Sequence, residues 1–441
     1  MTMLKTLSHT LNAWMWLIGT EFLAFLAKFR RSPDRHRSVL LLAGMLPPSM
    51  SGGVHRPLSF MKYGDQNGWR IAAIGYEFTD EITAAGESLM QSVPPSVRLF
   101  RIGASRLEPG WRLFPQIDGG MLSGLAVVSM ARRVLAFRPS VVLASGPPFH
   151  SFVAAYYLSH IFGARLVLDY RDEWTESPFT FVNLGNSDRY WERRCLAKAD
   201  LAVFTTQSQI DHAVSVFGEL DRDRCLLVPN GWEPGDLPVK GVADGRGEPG
   251  TDTDVVLSFV GNLGNHTLPD TFFGTLGVVL SRPGRHGGAR VRFVGRRSPK
   301  AMDAINAFAH SNAIELIDQV PKAEVFDRME ESDGLLLISL PGLARYIPGK
   351  LYDYLSSTRP IVIYGHEGEV SAIVANLGAG MFVPEGDADA LADAFDAIRA
   401  GPRTRWDTPE RRDWIRTHTR EAAARKLLSR LGELIGSSDT A

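Results

Sequence analysis

Gly334-Leu335-Leu336-Leu337-Ile338-Ser339-Leu340, followed by Ile347-Pro348-Gly349-Lys350-Leu351-Tyr352-Asp353-Tyr354-Leu355, decides the fold. The first run is short, continuous and apolar, as a parallel strand covered on both faces must be. Pro348 and Gly349 then punctuate a helix start, where unpaired N–H groups and the positive end of the helix dipole favour a phosphate. Lys350 and Asp353 share one face of that helix. An ammonium there can meet a diphosphate while the carboxylate accepts hydrogen bonds from ribose hydroxyls; the plainer alternative is a surface ion pair.

The same strand-then-helix grammar runs outward in both directions. Apolar β-type runs fall at Val39–Ala43, Ile71–Gly75, Val97–Ile102, Val141–Ala144, Leu166–Tyr170, Leu201–Thr205 and Leu226–Pro229. They resume at Val255–Val260, Val291–Val294, Ile314–Val320, Leu335–Leu340, Pro360–Tyr364 and Met381–Val383. Helical segments such as Leu122–Phe137 and Phe149–Phe162 separate them, which is the rhythm of a doubly wound parallel sheet. Asp236–Asp254, rich in Gly, Pro and Asp, reads as a linker. The expected organisation is α/β, with two Rossmann-like domains at 38–235 and 255–400. A last helical segment over 401–441, with its apolar clusters at Pro409–Ile435 and Gly436 as a stop, is free to return to the first domain.

At 441 residues the chain is longer than one core usually supports. Its 48 basic and 49 acidic side chains nearly cancel, which removes the electrostatic case for a nucleic-acid partner. Cys195 and Cys225 are the only cysteines, too few for a disulfide framework, so a reducing compartment fits. Residues 1–37 stand apart. Leu11–Ala27 is nearly all apolar, interrupted by Asn12, Gly19, Thr20 and Glu21, and Lys28, Arg30, Arg31, Arg35 and Arg37 follow it against Asp34 alone. A short membrane span, a helix lying in the interface and a helix packed on the protein's own body all fit; the basic flank keeps the remainder cytoplasmic in either membrane case.

Ligands of open α/β sheets sit beyond the carboxyl ends of the strands, and four loops there are unusual. Pro47–Pro57 contains Gly52 and Gly53, which let a backbone approach a ligand closely, and then His55 and Arg56 at a helix start. Ala144–Ser151 holds Ser145 and His150, either able to touch a hydroxylated ligand, with a solvated helix-start histidine as the alternative. Leu168–Pro178 places Asp169, Arg171, Asp172 and Trp174 at the end of an apolar strand, as ligand contacts or as an internal Asp–Arg network. Without His or Cys at useful spacing, a metal site is not expected. Phe259–Asn265 carries Gly261, Asn262 and Gly264 with room for a phosphate, but G-x-G-x-x-G is absent and a dehydrogenase is disfavoured.

Taken together, these loops and the opening motif resemble a bacterial glycosyltransferase of family 4, in the branch that builds exopolysaccharide, capsule or O-antigen. The carriers are Ser51-Gly52-Gly53-Val54-His55-Arg56-Pro57, Ser145-Gly146-Pro147-Pro148, Asp169-Tyr170-Arg171-Asp172-Glu173-Trp174, Pro229-Asn230-Gly231-Trp232 and Gly349-Lys350-Leu351-Tyr352-Asp353-Tyr354-Leu355. The resemblance implies a GT-B fold, two Rossmann-like domains facing a cleft, and a retaining transfer from a nucleoside-diphosphate sugar without essential metal or cofactor. It implies an acceptor that is polyprenyl-diphosphate-linked or another glycan, met at the cytoplasmic face of the inner membrane. The donor is expected at Gly52, Gly53, Gly261, Asn262, Arg345, Gly349, Lys350 and Asp353, and the acceptor at Ser145, His150, Asp169 and Trp174. Asp172, Arg171 and His55 are the expected catalytic groups. Two departures stand out: the family's pair of glutamates falls on Arg345 and Asp353, and the histidine that follows the fifth strand in many relatives is replaced by Arg171 and Asp172. A catalytically lapsed nucleotide-binding scaffold, or an epimerase or hydrolase of the same fold, are the alternatives.

Overall fold

The computed structural model describes residues 3–27, 36–77, 82–103, 114–233, 254–264, 267–269, 271–282, 288–320 and 322–436. The expected linker, apart from Asp254, lies outside these residues, as do Asn265 and all of the basic flank but Arg37. The chain forms two compact units, 1–229 with 420–441, and 230–419.

The first unit begins with α1 (Met3–Ala27), β1 (Ser38–Ala43), α2 (His55–Gln66), β2 (Arg70–Tyr76), α3 (Ala84–Gln91), β3 (Arg98–Ile102) and α4 (Met121–Val134). It continues with β4 (Val141–Gly146), α5 (His150–Phe162), β5 (Arg165–Tyr170), α6 (Asp188–Lys198), β6 (Leu201–Phe204), α7 (Gln207–Val216) and β7 (Cys225–Leu227). Its strands form one parallel sheet in the order β3-β2-β1-β4-β5-β6-β7. Both faces are covered. Along β1, Leu40 and Leu42 join the core built with α4 and α5, while Val39, Leu41 and Ala43 join the opposite core with α2. This is why the run reads as continuously apolar instead of alternating.

The second unit repeats the plan with β8 (Val255–Val260), α8 (Phe272–Leu280), β9 (Ala289–Val294), α9 (Pro299–Asn306), β10 (Ile314–Ile317), α10 (Lys322–Glu330) and β11 (Gly334–Ser339). Then come α11 (Gly349–Ser356), β12 (Ile361–Gly365), α12 (Glu369–Asn376), β13 (Gly380–Pro384), α13 (Ala388–Ala400) and α14 (Pro409–Thr417). The parallel order is β10-β9-β8-β11-β12-β13. In each sheet the connections reverse direction between the first strand and its fourth, β1 with β4 and β8 with β11, the switch points where such sheets take ligands.

The segment Pro409–Ile435, expected as one helical run, is two helices, α14 and then α15 (Arg420–Ile435). The break falls at His418, whose ring stacks on Trp414 at 4.0 Å, and Thr419 pairs with Trp232. Beyond it, α15 lays Ala424, Leu427, Leu428 and Leu431 into the α2 side of the first sheet's core. The chain's end thus completes the core of its beginning.

Candidate functional site

In the second unit, β8 ends at Gly261, held at φ +130°, and β9 ends at Gly295, at φ +128°. A Cβ on Gly295 would stand 2.5 Å from the Gly261 carbonyl oxygen, so the close passage of the two backbones requires glycine there. Against Gly261 lies Lys350 from the first turn of α11. Its Nζ is 3.7 Å from the centroid of the Phe259 ring and 3.3 Å from where a Gly261 Cβ would be. Lys350 is half-buried and pairs with no carboxylate among the described residues. Burial pulls its pKa down to about 7. The ring face of Phe259 partly offsets that desolvation, but a ligand anion would do so far better.

The helix bearing Lys350 is held firmly over its carboxyl half. Tyr354 accepts a hydrogen bond from Val260 N at 2.8 Å and its hydroxyl also lies 3.3 Å from Leu336 O, tying α11 to the ends of β8 and β11. The buried Arg411 guanidinium donates to Tyr354 O, Leu355 O, Arg359 O and Trp406 O at 2.7–3.0 Å. Tyr354 O and Leu355 O belong to the last turn of α11, where a cation is favoured. The free end is the amino end: Pro348 caps α11 without a side-chain bond and Gly349 is exposed. Asn262 and Asp353 are exposed, and Arg345 is half-buried in the turn before α11. Glu369 N donates to Ala344 O at 2.8 Å, and a Cβ on Gly368 would strike that oxygen, so the loop after β12 is pressed against this turn.

Sequence reasoning missed Phe259, Gly295 and Arg296. A signal was present, since Phe259-Val260-Gly261 and Phe293-Val294-Gly295 are the same tripeptide at the ends of adjacent strands. Arg296, exposed just beyond Gly295, makes no ion pair among the described residues. Arg297 is different: it bonds Gly295 O and Ile317 O at 2.8 Å and pairs with Asp318, bracing the loop.

In the first unit, five of the expected ligand contacts prove internal. Asp169 is fully buried and pairs with Arg56, whose Nη2 is 2.7 Å and Nε 3.0 Å from Oδ1, while Ser145 donates to Oδ2 at 2.7 Å. The carboxylate and hydroxyl therefore join neighbouring strand ends, and the Asp–Arg network is the correct reading. Trp174 is wholly buried, stacked on Phe149 at 5.1 Å, with its indole N–H on Asp188. His150 is buried edge-on to Tyr76, and burial drives its pKa down to about 3, so it stays neutral and away from solvent. Arg171 donates to three carbonyls, Gly53 O at 2.7 Å, Gly146 O at 3.2 Å and Pro147 O. It clamps the loops after β1 and β4 together.

That clamp also explains Gly53, expected at the donor: a Cβ there would stand 2.0 Å from the Arg171 Nη1. Gly52 is exposed, and a side chain on it would meet nothing. His55 is half-buried in the first turn of α2. Asp172 follows the clamp directly and is half-buried beyond the end of β5; burial pushes its pKa up to about 6, opposed by the Arg171 charge. The arrangement brings Gly261, Gly349 and Lys350 together in the second unit, while Asp172 and His55 are half-buried at strand-end loops of the first.

The glycosyl transferase 4-like domain matches residues 52–231, and the glycosyl transferases group 1 domain matches residues 254–400. No curated protein sequence matches the chain. Among solved structures it is similar to sucrose-phosphate synthase from Thermosynechococcus elongatus, at 14% identity and TM-score 0.67, covering 91% of this chain and 100% of that one. A glycosyltransferase from Rickettsia africae gives 13% and 0.62 over 92% and 100%, and Anabaena HepE in complex with UDP and glucose 14% and 0.61 over 91% and 100%.

Proposed function

We propose that this chain, which belongs to the glycosyltransferases of the GT-B fold, moves a sugar from a nucleoside diphosphate held by its second unit to a glycan acceptor bound by the first. The observation that carries the donor half is Lys350, a half-buried ammonium with no carboxylate partner among the described residues, seated beside Gly261 where α11 opens. A diphosphate placed there receives the α11 N–H groups and one compact cation. Arg296 and Arg345 supply further positive charge on neighbouring strand-end loops. These groups, rather than a metal, neutralise the leaving diphosphate.

Transfer proceeds with retention. The bond between the anomeric carbon and the diphosphate oxygen breaks, the acceptor hydroxyl oxygen bonds the same face of that carbon, and the hydroxyl proton passes to the departing diphosphate. Asp172 and His55 orient the acceptor, and Asp353 accepts from the donor ribose. The acceptor is a polyprenyl-diphosphate-linked or other glycan of bacterial surface polysaccharide, as the sequence resemblance implies.

The test is a panel of UDP-, GDP- and ADP-sugars screened by thermal shift, since a ligand of the folded form alone raises its stability, followed by nucleotide release with and without lipid-linked acceptor. UDP-sugars come first because HepE is recorded with UDP. Donor binding with release only in the presence of acceptor is expected. Binding without release on any acceptor supports a lapsed scaffold, and release without acceptor a hydrolase. Asp172 adds a pH signature. With a pKa near 6, its carboxylate protonates as pH falls, so kcat declines below about pH 6. Asp172→Asn is expected to remove that limb and lower kcat about tenfold, roughly 1.4 kcal/mol of orientation; an unchanged limb excludes Asp172 from the reaction.

A further inference from the structure

From Ser8 to Ala27, α1 is long and apolar enough to cross a membrane, yet it lies along the first unit. Ala13, Leu17 and Ala24 are buried in the core shared with α4 and α5, and Trp14 packs edge-on to Phe114 at 5.6 Å. Glu21, the acidic interruption, is held on the same side. Its carboxylate takes two bonds from Arg194, at 2.6 and 2.8 Å, and one from Tyr157 at 2.8 Å. Burial works against the Arg194 charge, but the bonds to Glu21 and Tyr156 outweigh it and hold the guanidinium protonated. A spanning helix would strip this carboxylate of its partners and carry it into hydrocarbon.

The opposite face is apolar as well. Leu11, Met15, Ile18, Phe22 and Phe25 recur at spacings of three and four and each exposes more than half its surface, a stripe of about 21 Å along the helix. None of the exposed positions between Ser8 and Ala27 bears a charge. We infer that α1 is an in-plane membrane helix: locked to the body through Glu21, Arg194 and Tyr157, it presents the Leu11–Phe25 stripe to the acyl region of an anionic bilayer. Two observations favour a bilayer over a second copy or another protein. The chain continues directly into Lys28, Arg30, Arg31, Arg35 and Arg37 against Asp34 alone, charge suited to anionic headgroups. A stripe one helix wide offers a few hundred Å², well short of the roughly 800 Å² per partner of a specific protein interface. Half-exposed Trp14 and Trp16 suit the headgroup level. The inference deepens the lipid-linked acceptor reading, but its geometry stands without it.

The full chain is tested by flotation with vesicles of phosphatidylethanolamine and phosphatidylglycerol, and of phosphatidylcholine alone. Binding to the anionic vesicles, weakened by salt, is expected. The double variant Ile18→Asp/Phe22→Asp should lower it at least about tenfold with the unfolding midpoint and UDP-sugar affinity unchanged, so a failed donor assignment is read separately. Glu21→Ala should lower the stability of the lipid-free chain, which a spanning helix would not do. Equal flotation of the double variant, or membrane-bound protein that resists an alkaline carbonate wash, overturns the proposal. So does a lipid-free dimer that the double variant splits, because the occupant is then a second copy.

Discussion

Asp169→Ala is expected to destabilise the first unit by about 3–5 kcal/mol, the cost of leaving a buried charge without its partner. The partner is Arg56, itself buried, which also donates to Pro229 O at 3.2 Å. The carboxylate sits between β4 and β6 at the carboxyl end of the sheet, bonded by Ser145 from the neighbouring strand. Removing it leaves a buried guanidinium without its carboxylate. Ser145→Ala, which deletes one neutral donor, should cost only about 1 kcal/mol. The control is Arg56→Met with Asp169→Leu: taking out both charges should recover most of the loss, since an apolar pair of similar volume often matches a buried ion pair. Chemical denaturation of the full chain reads all three. A stable Asp169→Ala protein that has lost acceptor binding would restore Asp169 to the ligand and remove the structural reading.

The strands and the two doubly wound domains were legible because a strand buried on both faces reads as a continuous apolar run, and ligand loops of open sheets lie at one end. The proximity of Lys350 to Gly261 fits that rule together with the helix start at Gly349. For His150, Trp174 and Arg171 nothing in the sequence signals the internal partners they have. Asp169 and Ser145 were open to two readings, because polarity at a strand end has the same appearance whether it faces a ligand or another strand. What separates the two is the partner, and Arg56 is 113 residues from Asp169. Glu21 teaches the same lesson, since its meaning depends on Arg194, 173 residues away. The second Phe-Val-Gly tripeptide was visible all along. Its role rests on the approach of Gly295 to Gly261, which no spacing rule encodes.

Lys350→Ala is expected to weaken donor binding ten- to a hundredfold, the roughly 1.5–3 kcal/mol of a charge-assisted bond to phosphate. Fold and stability should hold or improve slightly, because the ammonium is desolvated and, among the described residues, has no carboxylate to lose. The pH dependence makes the test specific. Without ligand the pKa of Lys350 is about 7, so at higher pH the amine is mostly neutral. A bound diphosphate favours the charged form and raises that pKa, so binding takes up a proton and affinity must increase as pH falls toward 7. Each pH unit above 7 lowers the charged fraction, and with it the affinity, by up to about tenfold. A sugar-linked diphosphate has no ionisation of its own in this range, so the slope belongs to the protein. Calorimetric titration of a UDP-sugar between about pH 6 and 9 should show that slope in the parent chain and a flat line in Lys350→Ala. Lys350→Arg tests the position as well as the charge: a guanidinium stays protonated throughout, so its slope is flat too, but its larger fork must fit between Phe259 and Gly261. Parallel curves for parent and Lys350→Ala would place the diphosphate elsewhere and leave the buried ammonium without a function.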